Sequence, residues 1–131
     1  SRMKFTLNQI DYADEKTWRL LQSGFSAGVF QCESKLVQSY LKRVKPKSIW
    51  ELSAVIALVR PGPWKSGYAE KYVENLSKEI AESWNNVIVD EIFRSTHGVL
   101  CYQEQLMLLG AELAWKHLDV KLSAKRISRR F

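Results

Sequence analysis

Apolar residues recur along this chain at spacings of three and four, interrupted at short intervals by a proline, a glycine or a capping residue. That is the pattern of short amphipathic helices, not of alternating strands. Asp11 or Asp14 is placed to cap a first helix running through Trp18, Leu20 and Leu21 to Gly24, where the glycine supplies a stop. Beyond Ser34 the positions Leu36, Val37, Tyr40, Leu41 and Val44 share one helical face, until Lys45-Pro46 ends the run, because the residue before a proline avoids helical dihedrals. Ser48 and Glu51 have capping-box spacing ahead of Leu52, Val55, Ile56 and Val59.

The second half continues in the same manner. Arg60-Pro61-Gly62-Pro63 cannot prolong the preceding helix and predicts a rigid corner. Tyr68 to Trp84 reads as helical, with Ala69, Tyr72, Val73, Leu76 and Ile80 on one face, and a shorter helix from Val87 to about Arg94 follows an Asn85-Asn86 turn. Gly98 breaks the chain before a further helix that includes Tyr102, Met107, Leu109 and Leu113. Ser123 is placed to cap a last, basic helix through Ile127. No repeat, low-complexity tract or glycine-rich linker divides the 131 residues, so the expectation is a single compact all-α, multi-helix domain over residues 3–131. Ser1-Arg2, ahead of Met3, reads as a cloning remnant and carries no weight.

Other features narrow the class. No run approaches the ~18 consecutive apolar residues of a membrane span, and Ser1-Arg-Met-Lys-Phe5 lacks the apolar core of a secretory signal, so a cytoplasmic protein with no membrane partner is expected. Cys32 and Cys101 have no C-x-x-C partner and read as buried, inert thiols, with a disulfide between them left open; His97 and His117 lack metal-ligand spacing. Trp18, Trp50 and Trp115 fall at core positions. Trp64, beside the proline corner, is the tryptophan expected to be exposed and able to stack on a base or a partner.

Net charge is +6, and its placement says more than its size. Residues 116–131 carry Lys116, Lys121, Lys125, Arg126, Arg129 and Arg130 against Asp119 alone, whereas the rest of the chain is nearly neutral. A basic C-terminal segment attracts polyanions, either a nucleic-acid backbone or a nucleoside triphosphate. A solvated, solubilising helix face is the plainer alternative.

Three strings stand out in order. Gly28-Val-Phe-Gln-Cys-Glu-Ser34 reads as a buried turn in which Phe30 plugs the core and Gln31, Glu33 and Ser34 hydrogen-bond the next helix. Ala57-Leu-Val-Arg-Pro-Gly-Pro63 is stiff enough to aim the Arg60 guanidinium at a phosphate or carboxylate, or to let it cap the carbonyls of the helix before it. Thr96-His-Gly-Val-Leu-Cys-Tyr-Gln-Glu-Gln-Leu-Met107 places Gln103, Glu104 and Gln105 on every face of a helix start, which predicts that some of them turn inward into a hydrogen-bond network.

Together these strings resemble the fingers region of the C-family bacterial replicative DNA polymerases, the DNA polymerase III alpha subunits. The family's first string differs from this one only at Cys32, where it carries Leu; in the third, His97 stands for its Tyr and Leu106 for its Val. Ile10-Asp11 and Asp14-Glu-Lys-Thr17 resemble its lead-in. The C-terminus resembles its Ala-Asp-x-Leu-Arg-Arg-Ala-Met: Ala124 matches, Ile127 takes the Leu, Ser128 replaces the first Arg and Arg129 matches the second. The chain departs from the pattern after Tyr72-Val73, where Glu74-Asn75-Leu76 replaces an Arg-Lys pair, and again from Trp115 to Ser123.

The resemblance implies a part that closes over template DNA and an incoming deoxynucleoside triphosphate. It implies triphosphate contacts from Arg129, Arg130 and Arg60, and DNA contacts from Lys121, Lys125 and Arg126. Gly28, Phe30, Gln31, Glu33, Ser34, Pro61, Gly62, Pro63, Tyr102, Gln103, Glu104 and Gln105 are then the structural motif. No catalytic residue, metal or cofactor is assigned to this chain. The magnesium-binding aspartates of the family belong to a palm domain, and no Asp-x-Asp pair occurs here, so the chain alone is expected not to polymerise DNA. Partners would be the palm and thumb or other replisome proteins, in a bacterial or phage-infected cell. An excised fragment, a part of a split or divergent enzyme, a stand-alone nucleic-acid-binding module and a replisome-interaction decoy are all compatible with the sequence.

Overall fold

Four helix starts are explained by a side chain that satisfies backbone N–H groups the helix itself cannot. In the computed structural model, which describes residues 6–78 and 83–117, Asp14 accepts from the Thr17 N–H at the start of α1 (Glu15–Ser23). Ser34 does the same for α2 (Lys35–Val44) through Val37, and Ser48 for α3 (Ile49–Leu58) through Glu51. The Glu51 carboxylate in turn accepts from the Lys47 N–H at 2.6 Å, completing a reciprocal cap one residue earlier than the standard box. Asn86 caps α6 (Val87–Phe93) by accepting from Ile88 and Val89. No strand occurs among the described residues, and none of their helices is long and apolar enough to cross a membrane.

The proline corner exists, built as a helix start. Val59 ends α3, Arg60 is extended (φ −72°, ψ 149°), and Pro61 opens the short α4 (Pro61–Lys65), where a missing N–H costs nothing. Gly67, at φ 79°, turns the chain into α5 (Tyr68–Leu76). That helix is shorter than its apolar spacing predicted. Trp84 belongs instead to the turn before α6, where the Asp90 carboxylate accepts from the Trp84 N–H and the Ser83 hydroxyl and is held below its usual pKa, chiefly by the Ser83 bond. A 3-10 turn (Arg94–Thr96), left-handed His97 and Gly98 then lead to α7 (Gln103–His117). The expected Ser123–Ile127 helix lies outside the described residues.

The core lies where α2, α3 and α5 meet, with Tyr40, Leu41, Val55, Leu58 and Tyr72 essentially excluded from water. α1 lies against α2, and the crossing is tight: a Cβ on Gly24, already at φ 72°, would stand 2.8 Å from the Gln38 carbonyl oxygen. Arg43 on α2 and Glu70 on α5 form a two-pronged pair at the surface, with Nη1 2.7 Å from Oε1. Being solvated, that pair adds little beyond alignment.

Three aromatic expectations are corrected. Phe30 does not plug the core: it is 84% exposed, because left-handed Gln31 (φ 60°) turns the chain so that Cys32 points inward instead. Trp50 is 74% exposed, since it falls in the first turn of α3, on the side away from α2 and α5. Trp64 is half-buried, packed edge-on against Tyr40 with ring centroids 5.4 Å apart. Trp18 is also half-buried, donating its indole N–H to the Tyr12 carbonyl at 2.8 Å. The expectation for the Trp115 side chain lies outside the described residues.

Two buried tyrosines differ in one bond. The Tyr40 hydroxyl donates to the Ala69 carbonyl at 2.8 Å, tying α2 to α5, whereas the Tyr72 hydroxyl is buried with no partner. Urea unfolding should therefore show Tyr40→Phe losing about 1 kcal/mol and Tyr72→Phe losing nothing or gaining stability; an equal loss in both would contradict these assignments.

Candidate functional site

The side of α3 formed by Ile49, Leu52, Ser53, Ile56 and Ala57 faces a cleft of about 580 Å³. Its exposed rim is made of Gln31, Arg60, Gln103 and Glu104, so all three sequence strings contribute to one depression. A second cleft of about 380 Å³ lies beside it and adds Pro61, Pro63, Tyr68, Leu100 and Leu106. Arg60, Tyr102 and Gln103 line both, as do Ala57 and Cys101, and the second cleft is the more apolar by composition.

The first string is a closed loop that presents Gln31. Ser26 donates its hydroxyl to the Cys32 carbonyl at 2.5 Å, and the Gly28 N–H reaches the Glu33 carboxylate at 2.9 Å. Gly28 (φ 84°) and Gln31 (φ 60°) both take left-handed dihedrals, and buried Cys32 anchors the loop to the core while Gln31 stays exposed. Glu33 thus acts within the loop, and Ser34 as the helix cap.

The second string delivers Arg60 on extended backbone between two helices. Its side chain is exposed and makes no hydrogen bond or ion pair among the described residues, so it is not spent on the carbonyls of α3. Such a planar five-donor head suits phosphate or carboxylate.

The third string is held from inside by Gln105. Its Oε1 accepts from the N–H groups of Cys101 (2.9 Å) and Tyr102 (3.0 Å), while its Nε2 donates to the Ile92 carbonyl (3.2 Å) and the Thr96 hydroxyl oxygen (2.7 Å). The Thr96 hydroxyl in turn donates to the Val99 carbonyl at 2.6 Å. The inward network expected of Gln103, Glu104 and Gln105 therefore belongs to Gln105; Gln103 and Glu104 stay exposed at the cleft. Burial raises the pKa of Tyr102, with a lesser opposing effect from Ser53 across the cleft.

The lining suits binding better than bond-making. Burial pushes the Cys101 thiol up to about 12, with a lesser opposing effect from Thr96, so the sulfur stays protonated and unreactive near neutrality. Glu104 is the one carboxylate in either lining, which does not make a cation site, and no group of three His, Cys, Asp or Glu residues that could hold a metal occurs among the described residues. Cys32 and Cys101 are both free thiols. Arg129, Arg130, Lys121, Lys125 and Arg126 lie outside the described residues.

Comparison with known proteins decides the lineage. The sequence profile of the bacterial DNA polymerase III alpha subunit finger domain matches residues 1–124. The chain belongs to that family. It is 38% identical over 101 residues to the DNA polymerase III subunit alpha of Aquifex aeolicus and 35% identical over 112 residues to that of Bacillus subtilis, covering 77% and 86% of this chain. The error-prone DNA polymerase of Corynebacterium diphtheriae is 34% identical over 106 residues, 81% of this chain. The chain spans about a tenth of the length of these relatives.

In this finger domain the sequence pointed to the rim residues but not to the floor. Ser53, Ile56 and Leu100 line the clefts without standing out in the sequence. The available signal was Ser53, a hydroxyl within the apolar run Ile49–Leu58 and on the same helical side as Ile49 and Ile56.

The raised Cys101 pKa has a measurable sign. The folded state holds a proton that the unfolded thiol releases above its ordinary pKa of 9.0, so this contribution is intact below pH 9 and drains as pH rises from there toward about 12. Between about pH 8 and about pH 10, urea midpoints should show Cys101→Ala losing roughly 1 kcal/mol less stability than the parent; equal losses would show that the thiol titrates normally.

Proposed function

We propose that residues 3–131 act as the fingers part of a C-family replicative DNA polymerase, helping to hold the incoming deoxynucleoside triphosphate and the template during DNA synthesis. The observation that carries this reading is the convergence of Gln31, Arg60 and Tyr102–Glu104 on one cleft with an uncommitted guanidinium at its rim. Arg60 contacts triphosphate, together with Arg129 and Arg130 of the basic segment 116–131. Lys121, Lys125 and Arg126 neutralise DNA phosphates. The planar amides of Gln31 and Gln103, each with donors and an acceptor, suit a base edge or sugar.

Chemistry belongs to the remainder of the polymerase. Magnesium-binding aspartates of the palm supply the activation of the primer hydroxyl and the charge neutralisation at the phosphates. This chain's contribution is positioning and fixed positive charge, and by itself it leaves a primer unextended. The partners of such a part are DNA, deoxynucleotide and the palm and thumb.

Fluorescence anisotropy of a labelled primer–template duplex, with and without dATP, tests the assignment. Arg60→Ala should weaken the dATP-dependent component about tenfold, and Arg60→Lys should recover only part of it, because a point charge lacks the fork. The parent's affinity should fall steeply with salt. Undiminished dATP-dependent binding by both Arg60→Ala and Arg129→Ala would remove these residues from the site, and primer extension by the purified chain would overturn the division of labour. Salt-sensitive DNA binding indifferent to dATP would instead favour a stand-alone nucleic-acid-binding module.

A further inference from the structure

We propose that Gln105 is a positioning residue for the cleft: its buried side-chain amide fixes the Cys101–Tyr102 backbone, and through it the Tyr102 ring and the Gln103 rim. The inference rests on reading the cleft as the nucleotide and template surface, but its structural half stands independently.

The geometry is that of a four-way clamp. Gln105 is 6% exposed, yet all of its ordinary hydrogen-bonding capacity is turned toward backbone and Thr96 and none toward solvent or ligand. One oxygen collects two consecutive N–H groups that neither helix can satisfy, since α6 has ended and α7 has only begun. The nitrogen reaches back to Ile92 in α6 and to Thr96 in the following turn, so the separation of α6 from the start of α7 is set by the length of one side chain. Thr96 extends the clamp to Val99.

What the clamp holds is the wall between the two clefts. Cys101, Tyr102 and Gln103 line both. Tyr102 lines the larger cleft together with Ser53 of α3 and lines the second cleft as well, so a shift of the Tyr102 backbone changes both volumes at once. Gln105 itself lines neither cleft and makes no contact with a ligand there. Its effect on binding is therefore indirect, through the placement of Tyr102 and Gln103.

The test compares Gln105→Met, which keeps an unbranched side chain of similar volume, with Gln105→Glu, which keeps the acceptor for both N–H groups. Tyr40→Phe serves as a control that loses one buried hydrogen bond away from the cleft. Amide hydrogen exchange, read residue by residue, should show Cys101 and Tyr102 exchanging about tenfold faster or more in Gln105→Met than in the parent. Protection should persist in Tyr40→Phe and be intermediate in Gln105→Glu, which keeps the acceptor but sets an oxygen against the Ile92 carbonyl.

Anisotropy with the primer–template duplex and dATP should show Gln105→Met binding about fivefold or more weakly. Gln105→Glu should bind with an affinity between those of Gln105→Met and the parent, and Tyr40→Phe should bind like the parent. Unchanged exchange at Cys101 and Tyr102 in Gln105→Met overturns the clamp. Faster exchange with undiminished binding overturns its positioning role, as does a Tyr40→Phe variant that loses as much binding. Should the parent fail to bind the duplex and dATP, the reading of the cleft falls, and the clamp is then judged on exchange alone. Should Gln105→Met fail to fold, Gln105→Glu carries the test: faster exchange at Cys101 and Tyr102 together with weaker binding supports the clamp, and parent-like exchange or binding overturns it.

Discussion

The cleft depends on a single constraint: the turn between α6 and α7 buries Thr96, Val99 and Cys101, and the polar groups around them have to be satisfied without a regular helix to do so. Gln105 and Thr96 meet that demand with five hydrogen bonds between them, reaching Ile92, Val99, Cys101 and Tyr102. A buried amide or carbonyl left unpaired costs on the order of 1–3 kcal/mol. The turn therefore has few alternative conformations compatible with the fold, and what it presents to solvent, Gln103 and Glu104, is fixed by what it hides.

The same logic runs through the other two strings. The first loop is closed by the Ser26–Cys32 and Gly28–Glu33 bonds and pinned by a buried thiol, which leaves Gln31 outward. Arg60 is placed by α3 ending and α4 beginning within two residues, with proline supplying the stiffness of the second start. α3 unites the three: one side enters the core through Ala54, Val55 and Leu58, and the adjacent side carries Leu52, Ser53 and Ile56 into the cleft. Packing of this helix and presentation of the cleft are thus two consequences of one buried segment.

Helix starts were legible in the sequence because capping is a local event between residues three apart, and Asp14, Ser34 and Ser48 cap as their spacing implies, while Asn86, read as part of a turn, proves to cap α6. The core faces of α2 and α5 were legible for the same reason. Side-chain direction in irregular backbone was not: Phe30 looked like core by composition, but the left-handed dihedral at Gln31 reverses the pattern, and no residue type announces it. Trp50 and Trp64 exchanged their expected exposures because helical periodicity does not say which side meets a neighbour. The Gln105 network was foreseen as a network and not as a clamp, since its partners Ile92 and Thr96 are brought to it by the turn at His97 and Gly98.

The most direct measurement is a residue-resolved chemical-shift titration of the chain with a primer–template duplex and dATP. A surface built by the three strings predicts that the largest shifts among residues 6–78 and 83–117 cluster at Gln31, Ser53, Arg60, Tyr102 and Gln103. Shifts concentrated instead on α1 and the Arg43–Glu70 surface, neither of which lines a cleft, would contradict the account.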